Sequence, residues 1–305
     1  MLLPSACASL PDVSSLREYL LSTRQKPSIV NTHGALPDAQ KQALLDSLAT
    51  KAGPTDILNK HIAAEEAING TPLAAGNKVT LLDDGPATMR AMMSAIRGAR
   101  NHINLETYIF EADEVGCALA GLLIDKAAAG VQVNLIYDSV GTLDTPPEFF
   151  ARLRKAGIHT LEFNPVNPLK AHGGWDINAR DHRKLLVVDG RIAFTGGVNI
   201  SKVYGKSVIL KSRRHPLPQD AKEAAWRDTH MQIEGAAVAE FQKLFLDTWR
   251  RKAGHPLTGA EYFPPLHAQG NALVRALGST PERAGDTIYK TYISALSNAD
   301  HYVCI

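Results

Sequence analysis

His182, Lys184 and Asp189, followed by Gly196-Gly197 and Asn199, place an imidazole, an ammonium, a carboxylate and a carboxamide within 18 residues. A free imidazole titrates near 6.5, at about the pH where it can attack as a neutral base or give up a proton. A cation and an amide donor beside it suit the oxyanion of a phosphate. Leu185–Val188 reads as a short strand, Asp189-Gly190 as a hairpin turn and Arg191–Thr195 as the returning strand. His182 and Lys184 are two apart, so in extended chain they face one side, and the hairpin brings Asn199 towards them. Gly196 and Gly197 allow backbone to come close to a bound group. Asp189 is open to two readings: a member of the catalytic set, or a turn residue serving the hairpin. Six fixed residues at this spacing coincide by chance on the order of 10⁻⁵ times in such a chain. That rarity favours chemistry over a solvated hairpin.

The elements that must position these residues begin near Val79. Strand-like runs at Val79–Leu82, Ile103–Ile109, Val131–Tyr137 and His159–Phe163 alternate with helical runs at Thr88–Ala99, Glu114–Ala129 and Pro147–Ala156. Such alternation predicts an α/β domain with helices over a mixed, mostly parallel sheet. A further strand is expected over His230–Ile233, a closing helix over Ala236–Arg251 and a loop over Tyr204–Glu223. Residues 1–76 read as a helical extension, with helices over Pro37–Leu48 and Asp56–Ile68. Ser94–Leu105 recurs as Ser294–Ile305, an offset of 200 residues, and Val274–Leu277 echoes the strand at Val79. An offset that long indicates a duplicated domain. The expected division is an extension (1–76), a first domain (77–265) and the start of a second repeat (266–305). A second His-x-Lys-x4-Asp string is expected roughly 200 residues beyond His182, past Ile305.

The pattern His-x-Lys-x4-Asp-x6-Gly-Gly-x-Asn resembles the HKD signature of the phospholipase D superfamily. The segments Ile103–Phe110, Val131–Asp138, Phe163-Asn164-Pro165 and Trp226–His230 resemble its bacterial cardiolipin synthase-like branch. That resemblance implies a phospholipase D-like fold and a two-step phosphatidyl transfer through a phosphohistidine. His182 matches the nucleophile, while Lys184 and Asn199, with Gly196 and Gly197, match the phosphate-binding residues. Asp228 matches an acidic residue that orients the nucleophile. Glu106 and Tyr108 either support the pocket or are a partly buried strand pair. The second imidazole, acting as acid and base, would come from the second repeat in the same chain, or less readily from a homodimer. No metal and no cofactor are implied. Phosphatidylglycerol is the expected substrate and a membrane surface the expected partner. Two alternatives stay open: a phospholipase D or phosphodiesterase that uses water, and a silent half-site working only as a membrane-surface protein.

Composition sets the remaining bounds. The chain has 33 basic and 31 acidic residues, net +2, without the concentrated positive charge of a nucleic-acid binder. The basic stretch Lys211–His215 is read as a solvated loop that could also meet acidic headgroups. Cys7, Cys117 and Cys304 have neither metal nor disulfide spacing. No run reaches the ~20 apolar residues of a membrane-spanning helix. Small residues before Cys7 resemble the end of a lipoprotein signal, so Cys7 is read as either a lipidation site or an incidental thiol.

Overall fold

The computed structural model describes residues 28–52, 70–167, 178–204, 226–253, 255–280 and 287–297, and eight isolated positions (Ile62, Glu65, Glu66, Ile68, Leu169, Ala299, Val303 and Cys304). Cys7, the basic stretch Lys211–His215, most of the expected helix Asp56–Ile68 and most of the expected loop Tyr204–Glu223 lie outside the described residues. The chain divides into two compact units, one of residues 74–274 and one of residues 1–73 with 275–305.

The smaller unit opens on a hairpin, β1 (Ile29–Asn31) and β2 (Gly34–Ala35), followed by α1 (Asp38–Ala52). The hairpin adds a strand pair to the expected helical extension, whose first helix is found as α1. Its strands are too short to show alternation, and the local signal is the turn: Asn31 Oδ1 accepts the His33 N–H at 2.8 Å, and Gly34 has φ 110°. In the same unit the Arg275 guanidinium reaches the Ile62 carbonyl (3.0 Å) and Glu65 (3.4 Å), and α6 spans Thr287–Ser297. Ser294–Ser297 is thus helical in the second copy of the repeat, as Ser94–Arg97 is in the first.

The larger unit is built on one sheet. Its strands are β3 (Leu73–Leu82), β4 (His102–Thr107), β5 (Gln132–Asp138), β6 (His159–Phe163), β7 (Leu185–Val188), β8 (Ile192–Gly196), β9 (His230–Glu234) and β10 (Ala272–Val274). Across the sheet they run β3-β9-β8-β7-β4-β5-β6, with β10 also on β3. Only β4–β5 and β5–β6 pair in parallel; β3–β9, β9–β8, β8–β7, β7–β4 and β10–β3 are antiparallel. The sheet is mixed as expected, but antiparallel pairs dominate where mostly parallel pairing was predicted. A parallel pair needs a long crossover, and α3 (Glu114–Ala128) and α4 (Pro147–Lys155) supply one on each side of β5. From β7 onward a tight hairpin and a returning strand force the opposite sense.

Helix α2 (Gly85–Gly98) starts where Asp84 accepts the Ala87 N–H at 2.8 Å and Pro86 sets the first turn. It buries Met89, Met92 and Ile96, spaced three and four apart, in one core with Ile103, Leu105, Leu186, Val188 and Phe194. The opposite face of the sheet is covered by α5 (Val238–Ala253), which packs on β6, β7 and β8. Val188 and Ile192 close the β7–β8 register around the three-residue turn Asp189–Arg191, in which Asp189 (φ 52°) and Gly190 (φ 61°) are left-handed and the Arg191 N–H donates to the Val188 carbonyl at 3.0 Å.

Asp189 also joins the hairpin to β4. Its carboxylate accepts the backbone N–H groups of Arg100 and Asn101 at 2.8 Å and of His102 at 2.9 Å. Removing it should strand those donors and strain the turn. Asp189→Ala is expected to lower unfolding stability by roughly 2–4 kcal/mol, and Asp189→Asn, which keeps the turn and one acceptor, by about half as much. Urea denaturation measures both.

Candidate active site

His182 and Lys184 lie on the approach to β7, and that approach is anchored by β5. The fully buried carboxylate of Asp138, the last residue of β5, accepts the N–H groups of Val140 (2.8 Å) and Gly141 (3.1 Å) through one oxygen and that of Asp181 (2.9 Å) through the other. Arg180 pairs with it at 3.4 Å and also reaches the Ser139 hydroxyl (3.0 Å) and the Asn164 carbonyl (3.0 Å). Asn164 sits just past β6 with φ 40°; its Nδ2 donates to the Ala179 carbonyl at 2.6 Å and its Oδ1 accepts from Lys252 of α5 at 2.5 Å. Residues 179–181 are therefore tied to β5, β6 and α5 immediately before His182.

Past that point the chain alternates. Arg183 turns to the α5 face, where its guanidinium meets both oxygens of Glu106 (3.1 and 3.3 Å), the Thr248 hydroxyl (3.0 Å) and the Leu244 carbonyl (3.4 Å). Burial pushes the Glu106 carboxyl well above the ordinary carboxylate range, opposed by Arg183 and reinforced by Asp181. For Arg183, burial works against the charge, but Glu106 and Asp181 outweigh it and its pKa is raised. Glu106 thus anchors Arg183 behind the strand.

His182 and Lys184 point the other way. Lys184 is buried and donates to the His182 carbonyl at 2.6 Å, with its Nζ 3.4 Å from His182 Nδ1. The His182 ring is exposed on one side and covered on the other by Tyr108, whose ring centroid is 4.0 Å away; Lys184 Nζ lies 5.5 Å from the same Tyr108 ring. That partial desolvation lowers the His182 pKa first, the Lys184 charge lowers it further, and Asp138 and Asp181 oppose both. The result is an accessible, neutral imidazole beside a buried ammonium. The expected nucleophile His182 and the expected phosphate-binding Lys184 are thereby brought together, with Tyr108 against them.

The other expected site residues are distributed differently. Asp189 stands at the far end of β7, about 13 Å of strand away from the His182 end. Its three backbone partners give it a structural task. Asn199 is buried and bridges two strand ends: its Oδ1 accepts the Ile109 N–H (3.1 Å) and its Nδ2 donates to Tyr204 (2.9 Å). Gly196 and Gly197 are both closely approached by protein atoms. A Cβ on Gly196 would come within 2.5 Å of the Thr229 carbonyl and 2.6 Å of His230 Cα, and one on Gly197 within 1.8 Å of the Asp228 carboxylate. Asp228 therefore rests over Gly197, also accepting the Thr229 N–H at 2.9 Å, and its field falls on Lys184. Burial lowers the Lys184 pKa, and Asp181 and Asp228 oppose that shift. The carboxylates acting on His182 itself are Asp138 and Asp181. No short-range signal in the sequence marks a role in the site for Asp138, Asp181, Asn164 or His230. Among the described residues, no cluster of three or more His, Cys, Asp or Glu side chains is placed to hold a metal.

Comparison with known proteins then fixes the lineage. Residues 92–205 match a family model described as cardiolipin synthase, PLD-like domain. The chain is 33% identical over 241 residues to a cardiolipin synthase of Geobacillus sp. (strain WCH70), covering 78% of this chain and 45% of that one. It is 34% identical over 233 residues to the major cardiolipin synthase ClsA of Bacillus subtilis (strain 168), covering 75% and 45%. The chain belongs to the phospholipase D superfamily, in its cardiolipin synthase-like branch. It spans a little under half the length of these relatives. A solved phosphatidylserine synthase of Haemophilus influenzae Rd KW20 aligns over 78% of this chain and 48% of its own at 16% identity, with a TM-score of 0.45. The matched stretch 92–205 of this superfamily member contains His182, Lys184, Asp138 and Tyr108 alike.

Two outcomes follow from this geometry. Arg183→Met should cost about 3–5 kcal/mol by leaving Glu106 buried without its partner, and the double variant Arg183→Met/Glu106→Gln should cost clearly less than the sum of the singles in a denaturation cycle. His230, buried at the start of β9, has its pKa lowered to about 4, first by burial and then by Lys184. A folded pKa below the unfolded one makes the unfolded chain take up the proton first, so stability falls as pH drops from about 6.5 to about 4. His230→Asn should remove about 3 kcal/mol of that pH dependence, measured as the difference in unfolding free energy between pH 7 and pH 4.

Proposed function

We propose that the protein to which this chain belongs is a phosphatidyltransferase of cardiolipin synthase type, joining two phosphatidylglycerol molecules with release of glycerol. The observation that carries the reading is the exposed, neutral imidazole of His182 beside the buried Lys184 ammonium, in a chain of the cardiolipin synthase-like branch. In this reading Nε2 of His182 attacks the phosphorus of the first phosphatidylglycerol and the bond from phosphorus to the glycerol oxygen breaks. The departing oxygen takes a proton from a second imidazole. A hydroxyl of the second phosphatidylglycerol, deprotonated by that imidazole, then displaces His182 and frees it. Attack by Nε2 needs the proton on Nδ1, so in this reading the Lys184 ammonium, 3.4 Å from Nδ1, turns from that nitrogen to the phosphate.

The second imidazole is assigned to a second HKD copy in the same polypeptide, supported by the 200-residue repeat between Ser94–Leu105 and Ser294–Ile305. A phospholipid substrate also agrees with the near-balanced charge of 33 basic and 31 acidic residues, which gives no electrostatic footprint for nucleic acid. A membrane surface is the proposed partner. Trp226, 60% exposed and two residues before Asp228, has the amphipathic character that favours the lipid–water boundary. No helix among the described residues is long and apolar enough to cross a membrane.

The test presents the protein with phosphatidylglycerol vesicles and separates the lipid products by chromatography. Cardiolipin with an equivalent of glycerol is expected, and His182→Ala should lower its formation by at least about 10³-fold. Phosphatidic acid without cardiolipin would make water the acceptor and overturn the transferase reading. No His182-dependent product would sink the whole proposal.

A further inference from the structure

The β7–β8–β9–β3 register sets four residues in one row across the sheet. Leu185 lies opposite Thr195, so one residue further Lys184 faces Gly196. Gly196 pairs with His230, and His230 with Leu82. Residues opposite each other on antiparallel strands project from the same face. Leu82 belongs to the α2-side core with Leu186 and Phe194, so Lys184 and His230 rise from that face too. Between them stands a residue with no side chain. Two strand spacings, about 9.6 Å, separate the two backbones, a gap that a lysine stem and an imidazole leaning towards each other can close.

His230 leans that way. Its Nδ1 lies 2.8 Å from where a Gly196 Cβ would be, which puts the nitrogen in the slot above Gly196. The residue is 2% exposed, and that Nδ1 has no hydrogen-bond partner. A buried nitrogen of this kind calls for a donor. Lys184 has three N–H groups, one of them given to the His182 carbonyl. Asp228, resting over the neighbouring Gly197, bounds the same slot with a carboxylate.

We propose that His230 is a positioning residue for Lys184: its unprotonated Nδ1 accepts a hydrogen bond from the ammonium across Gly196 and, with Asp228, holds that cation in line beside His182. Gly196 is then required as the opening through which the two side chains meet. The mutual electrostatics agree, since Lys184 disfavours the imidazolium of His230 and Asp228 supports the charge on Lys184. No other role in the site as described uses His230.

The inference concerns the site of the proposed transferase and rests on that reading for its catalytic consequence, so the experiment has an arm that does not depend on activity. In the whole protein labelled with ¹⁵N-histidine, long-range proton–nitrogen correlation reads the protonation of each ring nitrogen, with His230 assigned from its absence in His230→Asn. A bare Nδ1 with the proton on Nε2 is expected. Lys184→Met should shift that nitrogen and move the His230 titration up towards an ordinary histidine value near 6.5. A proton on Nδ1, or a titration that ignores Lys184→Met, overturns the proposal. In the kinetic arm, His230→Leu should lower kcat about 10- to 100-fold, whereas His230→Asn, whose amide oxygen can take the place of Nδ1, should stay within about threefold of the parent. Equal losses in both variants would also overturn it. If the parent makes no lipid product while the Lys184–His230 coupling is present, the proposed activity fails and this assignment stands.

Discussion

Asp138 sits at the end of the central parallel strand with no contact with solvent, and both of its oxygens are held, one by the Val140 and Gly141 N–H groups and Arg180, the other by the Asp181 N–H. Two of its bonds close the turn after β5, and the others seize residues 180 and 181. Burying a carboxylate is costly unless its hydrogen bonds are made, and here they are made by the segment that must be held. The direction in which His182 leaves the sheet follows from that grip. So does part of its acid–base character, because the same carboxylate, with Asp181, opposes the burial and the Lys184 charge that depress its pKa. Asn164 and Lys252 brace the arrangement from β6 and α5. The reactive imidazole can therefore stand in the open while what positions it is enclosed.

Much of this was legible in the residues themselves. The hairpin from Leu185 through Gly196, its Asp189-Gly190 turn and the shared side of His182 and Lys184 follow from short-range rules, which act between neighbours in the chain. The three strand–helix alternations after Val79 were equally plain. Sheet order and pairing sense were not, because they depend on which strands meet after long excursions. The 33 residues between β8 and β9 give no local sign that β9 will return between β8 and β3. Asp138 escaped notice for a related reason. A carboxylate at a strand end reads the same whether it faces water or gathers the N–H groups of a segment some 40 residues further along. His230 was placed at the head of a strand, but its relation to Lys184 exists only through two register steps that no spacing in the sequence records.

At Gly196 and Gly197 the close approach that small residues allow is made by the protein itself. Gly196 and Gly197 do permit a close approach, as small residues in that place should. What approaches is the chain of β9 and the carboxylate of Asp228, both belonging to the protein. Asn199 behaves similarly: a carboxamide that could meet a phosphate is engaged with the Ile109 N–H and the Tyr204 hydroxyl. The glycine pair and the amide thus set the distance between strands on which the rest of the pocket is laid out.

Three consecutive residues, His182, Arg183 and Lys184, divide their work by the two faces of an extended chain, with the guanidinium sunk against α5 and its neighbours on the opposite face. Such a division has a reading frame. Losing or gaining one residue between Asp181 and the β7 strand would exchange the two faces, presenting the guanidinium to the pocket and driving the imidazole into the helix. Substitutions in this stretch can be graded, but a change of length is all-or-none. The spacing of the signature is in this sense a mechanical constraint before it is a chemical one.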